Sequence, residues 1–352
     1  MSEKILMKGN EALSEAAIIA GCRHYFAYPI TPQNEIPEYM SKRMPEVNGV
    51  FLQAESEIAS INMVMGASAA GARVMTSSSS PGIALKQEGI SYLSGAELPA
   101  VIVNMMRGGP GLGNIAGSQA DYFQSTKGGG NGDYKLIVLA PSNVQELADL
   151  TVKAFDLADQ YRMVVMILGD GYVAQMSEGI TLPKTTNKKY DKNSWILSGA
   201  KERDSRFIAS LRLIPDEALS NHNKNLQKKY KLIEENETMY ETYNTQDHEL
   251  LIAAFGLSAR IAKKAVNELR QEGYKVGLFR PITLWPFPYK ELINLNPKKV
   301  LTVEMNAGQM LEDIKLALNN KAELDFYGEL GGLVPDHEII IKKAKTLLAK
   351  KG

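Results

Sequence analysis

The chain has 352 residues, of which 44% are hydrophobic and 23% are charged, a composition typical of soluble globular proteins long enough for two domains. Lysine plus arginine and aspartate plus glutamate both number 40, so the net charge is zero and offers no general electrostatic basis for binding nucleic acid or an anionic membrane. With the single cysteine Cys22, the chain can form no internal disulfide and cannot bind an iron–sulfur cluster through four thiolates.

The first half of the chain alternates short apolar segments with segments of helical periodicity. Between residue 10 and about 175, the apolar runs are separated by longer stretches whose apolar residues lie three and four apart. This alternation predicts a parallel sheet covered by helices, in which ligands bind beyond the carboxyl ends of the strands. The predicted strands span residues 24–30, 49–54, 73–77, 100–106, 135–141 and 163–169.

A charged segment separates this region from a second α/β region. Residues 184–245 predict a linker followed by one long helix that is solvated or bridges two domains. Alternation resumes at ELLIAAFG (249–256), continues through a proline-rich turn, LWPFP, and ends in the amphipathic helix HEIIIKKAKTLLAKK. The sequence therefore predicts a first domain over 1–183, a connector over 184–245 and a smaller α/β domain over 246–352.

No targeting or membrane-spanning segment is expected. The first residues, MSEKILMKGNEALSEAA, lack the long apolar core of a secretory signal. Apolar runs such as VIVNMM are too short to cross a bilayer. We therefore expect a cytoplasmic protein with neither a membrane nor a nucleic acid as partner.

Two motifs resemble cofactor sites only weakly. GLGNIA (111–116) fits a dinucleotide fingerprint with Asp133 as the acid, but no clear helix follows it, which favours a glycine-rich loop. GDGY (169–172) could begin a thiamine diphosphate and magnesium motif, but no paired asparagines follow, so we interpret it as a turn with Asp170 in a loop. The histidines also lack metal-ligand spacing, and we expect no metal site; they are His24, His222, His248 and His337.

Polar side chains follow four of the predicted strands. Thr31, within YPITP, follows the first strand, and Glu55 and Glu57 follow the second. The serine run SSSSPG (77–82) follows the third strand, and Arg107 follows the fourth. Because the carboxyl ends of parallel strands lie at one edge of a sheet, these groups are expected to converge on one crevice.

Each of these residues also has a structural interpretation. Thr31 could cap a helix that begins with the proline after it, and Glu57 could complement the dipole of a first helical turn. The serines could cap a helix starting near Gly82, and Arg107 could lie in a surface loop. For any one residue the structural interpretation is the more common, but four polar strand ends at one edge favour a shared site.

These segments resemble a known family. YPITP, QAESE, GASAAGARVMTSSSSPG, MRGGPG and LAPSNVQE resemble the α-type subunit of the thiamine-diphosphate-dependent 2-oxoacid:ferredoxin oxidoreductases. TSSSSPG, QEGISYLSGAELP, SQADYFQ and KGGGNGDYK are most similar to the branched-chain type, which acts on 3-methyl-2-oxobutanoate (2-oxoisovalerate). LWPFP and VEMNAGQM resemble the family's second domain. The implied fold is a pyrimidine-binding, parallel-sheet α/β domain followed by a smaller transketolase-C-terminal-like α/β domain.

The resemblance implies how the first domain contacts the cofactor. Glu57 would hydrogen-bond N1′ of the aminopyrimidine and so promote loss of the proton at C2, with Glu55 as the competing candidate. Tyr28 and Pro29 would line the same cofactor site. The diphosphate and Mg²⁺ are expected on a β-type partner subunit, so no metal ligand is assigned to this chain.

Four residues are expected at the substrate: Thr31, Ser79, Ser80 and Arg107. The guanidinium of Arg107 suits a 2-oxoacid because its fork of donors matches a planar carboxylate. The family often has histidine where this chain has Asn131, which leaves substrate range and proton handling open.

The implied reaction is oxidative decarboxylation of a branched-chain 2-oxoacid with coenzyme A, giving acyl-CoA, CO₂ and reduced ferredoxin. Iron–sulfur clusters are expected only in partner subunits. The expected partners are the β-type subunit, a γ-type subunit, a ferredoxin-like subunit and ferredoxin, with self-association of the α/β unit.

Three alternatives remain open from the sequence. The first is a 2-oxoglutarate:ferredoxin oxidoreductase α subunit, whose substrate would require an additional cation for its second carboxylate. The second is a non-catalytic assembly subunit, and the third is a nicotinamide-dependent dehydrogenase that uses GLGNIA. The apolar and serine-rich strand ends favour a substrate with an aliphatic side chain.

Overall fold

The structure is a computed structural model that describes residues 4–185, 188–208 and 216–350, apart from the side chain of residue 216. The strands in these ranges are β1 (Ile5–Lys8), β2 (His24–Ala27), β3 (Val50–Gln53), β4 (Val74–Ser78), β5 (Ala100–Met106), β6 (Ile137–Leu139), β7 (Val164–Asp170), β8 (Ser177–Ile180), β9 (Tyr240–Tyr243), β10 (Leu250–Ala254), β11 (Val276–Pro281), β12 (Thr283–Trp285), β13 (Lys299–Glu304) and β14 (Glu323–Gly328). The helices are α1 (Gly9–Ile19), α2 (Glu35–Glu46), α3 (Glu57–Ala69), α4 (Ser80–Gly95), α5 (Tyr122–Thr126), α6 (Val144–Tyr161), α7 (Gly171–Gln175), α8 (Asp216–Asn236), α9 (Gly256–Gln271), α10 (Tyr289–Asn294), α11 (Gln309–Leu318) and α12 (His337–Ala349).

The first part of the chain forms a seven-stranded sheet with the order β12-β6-β7-β5-β4-β2-β3. Its strands run parallel except for β12, which pairs antiparallel with β6. Every residue of the apolar strands β5 and β7 is buried, as expected for central strands covered by helices on both faces. The predicted parallel α/β sheet is therefore confirmed.

The second part of the chain forms a five-stranded sheet with the order β14-β13-β10-β11-β9. Strand β9 is antiparallel to β11, and the other neighbours are parallel. Helices α9 and α12 pack together on this sheet and bury apolar residues such as Ala262, Val266 and Leu347. The smaller α/β domain predicted from the sequence corresponds to this sheet.

Several elements differ from their predicted bounds. The strand predicted over 24–30 ends at Ala27, before the first proline of YPITP, because proline has no N–H to donate to a strand neighbour. LWPFP is not only a turn, since its first two residues end β12 in the seven-stranded sheet. The segment predicted as connector contains the long helix α8, but it also contains β9, which joins the second sheet. Strands β1 and β8 pair with each other and were not predicted.

Buried polar contacts join the two sheets. The side-chain amide of Gln119 donates to the carbonyl oxygen of Phe255 at 2.9 Å and accepts from Ser258 Oγ at 2.8 Å and from the backbone N–H of Met305 at 3.0 Å. Arg280 forms a bidentate ion pair with Glu146 of α6, with its shorter N–O distance at 2.6 Å. These contacts fix the second sheet relative to the first. In the part of the chain that the structure describes, no helix is both long and apolar enough to cross a membrane.

Candidate active site

Four neighbouring strands bring the predicted site residues to one edge of the first sheet. Strands β3, β2, β4 and β5 are adjacent in that order and all run parallel. Their carboxyl ends lead into the segments that carry Glu57, Thr31, Ser79 and Arg107, respectively. The convergence expected from the sequence is therefore present in the fold.

The YPITP turn is held from two sides. The peptide bond between Thr31 and Pro32 is cis. The carbonyl oxygen of Pro32 accepts hydrogen bonds from Asn10 Nδ2 of α1 and Gln175 Nε2 of α7, both at 2.8 Å. Helix α2 begins later, at Glu35, so Thr31 does not cap it. The structural interpretation of Thr31 as a helix cap is therefore wrong.

The Thr31 hydroxyl and carbonyl have different partners. The hydroxyl accepts a hydrogen bond from Asn34 Nδ2 at 3.2 Å. The carbonyl oxygen accepts one from Arg107 Nη1 at 3.1 Å. Thr31 therefore lies next to Arg107, as expected for one crevice, but contacts it through the backbone.

Glu57 is the first residue of α3 and is 6% exposed. The helix begins there because Ser56 caps it, with Ser56 Oγ accepting from the backbone N–H of Ala59 at 3.2 Å. In the described residues, no hydrogen-bond donor contacts the Glu57 carboxylate. Gly82 of α4 lies directly against it, since a Cβ added at Gly82 would be 2.6 Å from Glu57 Oε1. The glutamate thus presents a buried carboxylate with free acceptor capacity.

Glu55 has a different environment from Glu57. It lies in the turn between β3 and α3, and its side chain is exposed. A buried carboxylate interacts more strongly with a bound group than an exposed one, because solvent screens it less. Of the two competing glutamates, Glu57 has the environment that suits a cofactor contact.

Arg107 is buried with one nitrogen unpartnered. Its side chain donates to the carbonyl oxygens of Thr31, at 3.1 Å, and Leu112, at 2.9 Å, while Nε is buried without a hydrogen-bond partner. Among the described residues, no carboxylate lies within ion-pair distance of the guanidinium. A buried guanidinium without a counter-ion is costly, and it therefore favours an anionic ligand. The interpretation of Arg107 as a surface-loop residue is wrong, because the residue is only 6% exposed.

The serine run places hydroxyl groups at the start of α4. Ser79 is the N-cap residue of α4, but its Oγ makes no capping hydrogen bond and is buried without a partner, as is Ser78 Oγ. Ser80 Oγ donates to Asp121 Oδ2 at 2.6 Å and accepts from the backbone N–H of Arg107 at 3.0 Å. Ser80 therefore connects α4 to the end of β5, next to Arg107.

Asp121 is a site residue that the sequence did not reveal. Asp121 Oδ2 accepts hydrogen bonds from Ser80 Oγ and, at 2.8 Å, from Asn104 Nδ2 of β5. Burial raises the pKa of the Asp121 carboxyl, and the hydrogen bonds from Ser80 and Asn104 oppose that rise. Asn104 did carry a signal, because it interrupts the apolar run AVIVNMM, whereas nothing in SQADYFQ distinguishes Asp121.

The other predicted residues lie outside this group of buried side chains. Tyr28 is 38% exposed, and its carbonyl oxygen accepts a hydrogen bond from Gln33 Nε2 at 3.3 Å. Pro29 is partly buried. The exposed Asn131 accepts a hydrogen bond from Ser91 Oγ at 2.9 Å through its side-chain oxygen, which ties its loop to α4. The assigned roles of these residues stay predictions.

The two weak motifs of the sequence have structural explanations. No helix opens on GLGNIA, because α5 begins only at Tyr122. Asp170 ends β7, and its carboxylate accepts from the backbone N–H groups of Val173 at 2.9 Å and Leu257 at 3.1 Å. It therefore caps α7 and contacts the first turn of α9, and the interpretation that Asp170 lies in a loop is wrong. Within the described ranges, no group of three or more histidine, cysteine, aspartate or glutamate residues is arranged to hold a metal ion.

Comparisons with known proteins identify the family. The family model for pyruvate flavodoxin/ferredoxin oxidoreductase, thiamine diphosphate-binding, matches residues 15–244, and the model for pyruvate:ferredoxin oxidoreductase core domain II matches residues 248–340. The ketoisovalerate oxidoreductase subunit VorB of Methanothermobacter marburgensis is 49% identical over 344 residues, which covers 97% of this chain and 97% of that protein.

The chain belongs to the ferredoxin-linked 2-oxoacid oxidoreductases. It is thus a subunit of an oxidoreductase that binds thiamine diphosphate, and the family predicted from the motifs is confirmed. The 2-oxoglutarate synthase subunit KorA of Methanocaldococcus jannaschii is 35% identical, covering 93% of this chain and 95% of that subunit.

Solved structures support the same family and fold. The 2-oxoglutarate:ferredoxin oxidoreductase from Magnetococcus marinus, solved with 2-oxoglutarate, coenzyme A and succinyl-CoA bound, superposes with a TM-score of 0.88 at 28% identity. This chain is covered to 99%, and it spans 66% of that longer chain. A split-gene transketolase superposes with a TM-score of 0.61 at 12% identity, which confirms the transketolase-like fold.

The crevice fits the aminopyrimidine end of the family's cofactor. That ring system presents hydrogen-bonding nitrogens and an apolar face, which require a carboxylate and a few polar side chains in a buried setting. Among the residues that the structure describes, Glu57 supplies a buried carboxylate without a donor, and Ser78 and Ser79 supply buried hydroxyl groups without partners. These unsatisfied polar atoms are what a site for a polar ligand leaves on the protein side.

Proposed function

We propose that this chain is the α-type subunit of an oxidoreductase that oxidatively decarboxylates 3-methyl-2-oxobutanoate with coenzyme A and passes the electrons to ferredoxin. The products would be acyl-CoA, CO₂ and reduced ferredoxin. The relative named ketoisovalerate oxidoreductase supports this substrate, since it shares 49% of its residues with this chain over nearly the whole length. Relatives named for 2-oxoglutarate are more distant, at 33–36% identity.

The observation that carries the proposal is the environment of Arg107. Its guanidinium is buried, contacts carbonyl oxygens and has an unpartnered Nε. A planar carboxylate can accept two parallel hydrogen bonds from such a fork. Arg107 would therefore bind and orient the carboxylate of the 2-oxoacid, with Ser79 and Ser80 beside it and Thr31 on the opposite wall.

Glu57 would act on the cofactor. When bound, thiamine diphosphate supplies an electron sink for the pair of electrons released by decarboxylation. Glu57 would accept a hydrogen bond from N1′ of the aminopyrimidine and hold a proton there during the reaction. Its burial excludes water from that hydrogen bond and keeps its strength high. Tyr28 and Pro29 would line the cofactor site next to this contact.

The remaining components would come from partner subunits. We infer that a β-type subunit binds the diphosphate and Mg²⁺, and that a γ-type and a ferredoxin-like subunit complete the electron path. The single cysteine supports this division for the iron–sulfur clusters. Exposed apolar side chains next to the crevice support a covering subunit. They are Leu112 and Ile115 in the glycine-rich loop, and Leu330 and Leu333 in the loop after β14. Asn114 joins the two loops through a hydrogen bond to the carbonyl oxygen of Gly331.

Reconstitution tests this proposal. The full chain would be combined with its β-, γ- and ferredoxin-like partners, thiamine diphosphate and Mg²⁺, and the reduction of ferredoxin or methyl viologen would be followed with a panel of 2-oxoacids plus coenzyme A. We expect the highest kcat/KM with 3-methyl-2-oxobutanoate. Activity restricted to 2-oxoglutarate would overturn the substrate assignment. A complex that assembles but acts on no 2-oxoacid would favour the non-catalytic assembly subunit.

A further inference from the structure

A lysine is enclosed in the core behind Glu57. Lys86 of α4 has no exposed surface, although lysine is almost never fully buried without a paired charge. In the described part of the chain, no carboxylate lies within ion-pair distance of its ammonium group. The catalytic proposal assigns this residue no role, so its charge in the core requires a separate explanation.

The hydrogen bonds of Lys86 connect it to the first turn of α3. Its Nζ donates to Ser60 Oγ at 2.7 Å and to Thr76 Oγ1 of β4 at 2.6 Å. Ser60 Oγ in turn donates to the carbonyl oxygen of Glu57 at 2.8 Å. The lysine therefore fixes the backbone of the residue that carries the candidate catalytic carboxylate.

Lys86 and Glu57 also interact through their charges. Burial lowers the pKa of Lys86 to about 7, and the charge of Glu57 opposes this lowering. The Glu57 charge is therefore near enough to act on the ammonium group of Lys86. In a buried site this effect is only weakly screened by solvent.

The other charged groups near α4 have partners of their own. Strands β4 and β5 carry no ionisable side chain. Asp121 is bonded to Ser80 and Asn104. Arg107 donates hydrogen bonds to the carbonyl oxygens of Thr31 and Leu112. Asp170, at the end of β7, is bonded to backbone N–H groups.

We propose that Lys86 is a positioning residue that holds the first turn of α3 through Ser60 and thereby fixes the place of the buried Glu57 carboxylate. The role in catalysis rests on the function proposed above, but the connection from Lys86 through Ser60 to Glu57 does not. A hydrophobic residue at this place in α4 could donate to neither Ser60 nor Thr76 and would leave the first turn of α3 without this connection.

A double-mutant cycle on the full chain tests the contact without the cofactor. Urea unfolding at neutral pH would be measured for the wild type, Lys86→Met, Glu57→Gln and the double variant. We expect the two substitutions to be coupled by about threefold or more in the unfolding constant, because Glu57→Gln removes the charge that acts on the buried Lys86 ammonium. Lys229→Met is the control, since Lys229 is a largely buried lysine that pairs with Glu97 instead. It should show no coupling to Glu57→Gln.

The affinity of the reconstituted complex for thiamine diphosphate gives the second measurement. We expect Lys86→Met to weaken binding by about tenfold, because a Glu57 carboxylate that is no longer held in place loses most of its hydrogen bond to the cofactor, and to have no further effect when Glu57→Gln is present. If Lys86→Met does not fold, Ser60→Ala serves instead, because it breaks the same connection. The inference would be overturned if Lys86→Met and Glu57→Gln had additive effects on the free energy of unfolding and Lys86→Met left the affinity for thiamine diphosphate unchanged. If Glu57→Gln itself left cofactor affinity unchanged, the proposed function would fail, whatever the cycle shows.

Discussion

Arg107 Nη1 donates a hydrogen bond to the backbone carbonyl oxygen of Thr31, at 3.1 Å, and not to its hydroxyl. The connection between these two walls of the crevice therefore does not depend on the side chain at position 31. The hydroxyl, whose described partner is Asn34, is available to a ligand that enters the crevice.

Substitution of Thr31 separates these two contacts. Thr31→Ser retains a hydroxyl and should keep kcat/KM within about twofold of the wild type. Thr31→Val removes only the hydroxyl and should lower kcat/KM by about 2- to 13-fold, the effect of one neutral hydrogen bond of about 0.5–1.5 kcal/mol. Steady-state kinetics of the reconstituted complex would measure both. Equal rates for Ser and Val would show that the hydroxyl does not contact the substrate.

Arg107→Lys should keep the fold and lower kcat/KM by about 10- to 150-fold. A lysine provides a point charge in place of a planar fork, so at least one charged hydrogen bond of about 1.5–3 kcal/mol is lost. Arg260→Lys is a suitable control, because Arg260 lies on the exposed surface and pairs with Glu178. Near-wild-type turnover of Arg107→Lys would remove the residue from the substrate site.

Glu57→Ala should reduce activity by about 10²- to 10⁴-fold, as expected when an acid–base group is removed. The rate of proton–deuterium exchange at C2 of the bound cofactor should fall in parallel. Glu55→Ala is the matched control, since Glu55 is exposed and lies two residues earlier. A normal exchange rate in Glu57→Ala, with loss in Glu55→Ala, would reverse the assignment of the two glutamates.

Gly82→Ala should damage the site although glycine carries no functional group. The added Cβ would lie 2.6 Å from Glu57 Oε1 and still closer to Ser78 Oγ, so both must move. We expect a loss of about 1–3 kcal/mol in unfolding free energy and weaker binding of thiamine diphosphate. Gly66→Ala is the control, because a Cβ there meets no atom within 4 Å, and it should raise the unfolding free energy by about 0.5–1 kcal/mol. Similar behaviour of the two variants would contradict this view of the Glu57 site.

Glu304 should make the stability of the chain depend on pH. Burial raises its pKa from 4.5 to about 7, although the backbone N–H groups of Met310 and Leu311 oppose that rise. The folded state therefore holds this proton more tightly than the unfolded state does. Its stabilising contribution is fully present below pH 4.5 and is lost as the pH rises to about 7, at up to about 1.4 kcal/mol per pH unit.

Glu304→Gln would remove this dependence and keep one oxygen that can accept from Met310 and Asn306, as Glu304 Oε2 does, while the N–H of Leu311 loses its acceptor. In urea unfolding between pH 5 and 8, the variant should gain stability relative to the wild type as the pH rises. Glu312→Gln, on the exposed face of α11, should run parallel to the wild type. A constant difference between Glu304→Gln and the wild type would show that Glu304 does not titrate in this range.

The parallel core could be predicted because its strands can be recognised from their own residues. Strands β5 and β7 are continuous apolar runs, and the polar groups after the strands converge because parallel strands end at one edge. Strands β9 and β12 were not predicted, since they are short and their partners are distant in the chain. Proline in LWPFP also pointed to a turn, and β1 and β8 lack apolar runs of strand length.

In the candidate site, too, contacts between residues that are distant in the chain could not be predicted from the sequence. Glu57 and Arg107 could be located from their places after strands, whereas the pairing of Asp121 with Ser80 joins residues far apart in sequence and leaves no local pattern. Lys86 did have a signal, since it lies three residues after Ile83 and four before Ile90, on the buried side of α4. Periodicity shows that such a lysine is buried, but only the fold shows which charge it faces.

Strand β12 restricts how the gene can be divided or recombined. It is encoded after the second sheet has begun, yet it covers the edge of the all-apolar strand β6 in the first sheet. A product that stopped at residue 245 would expose that edge, and exposed apolar edges pair between molecules. Exchange of the second sheet between related genes would therefore have to carry a matching edge strand with it, so the two halves of this chain are constrained to evolve together.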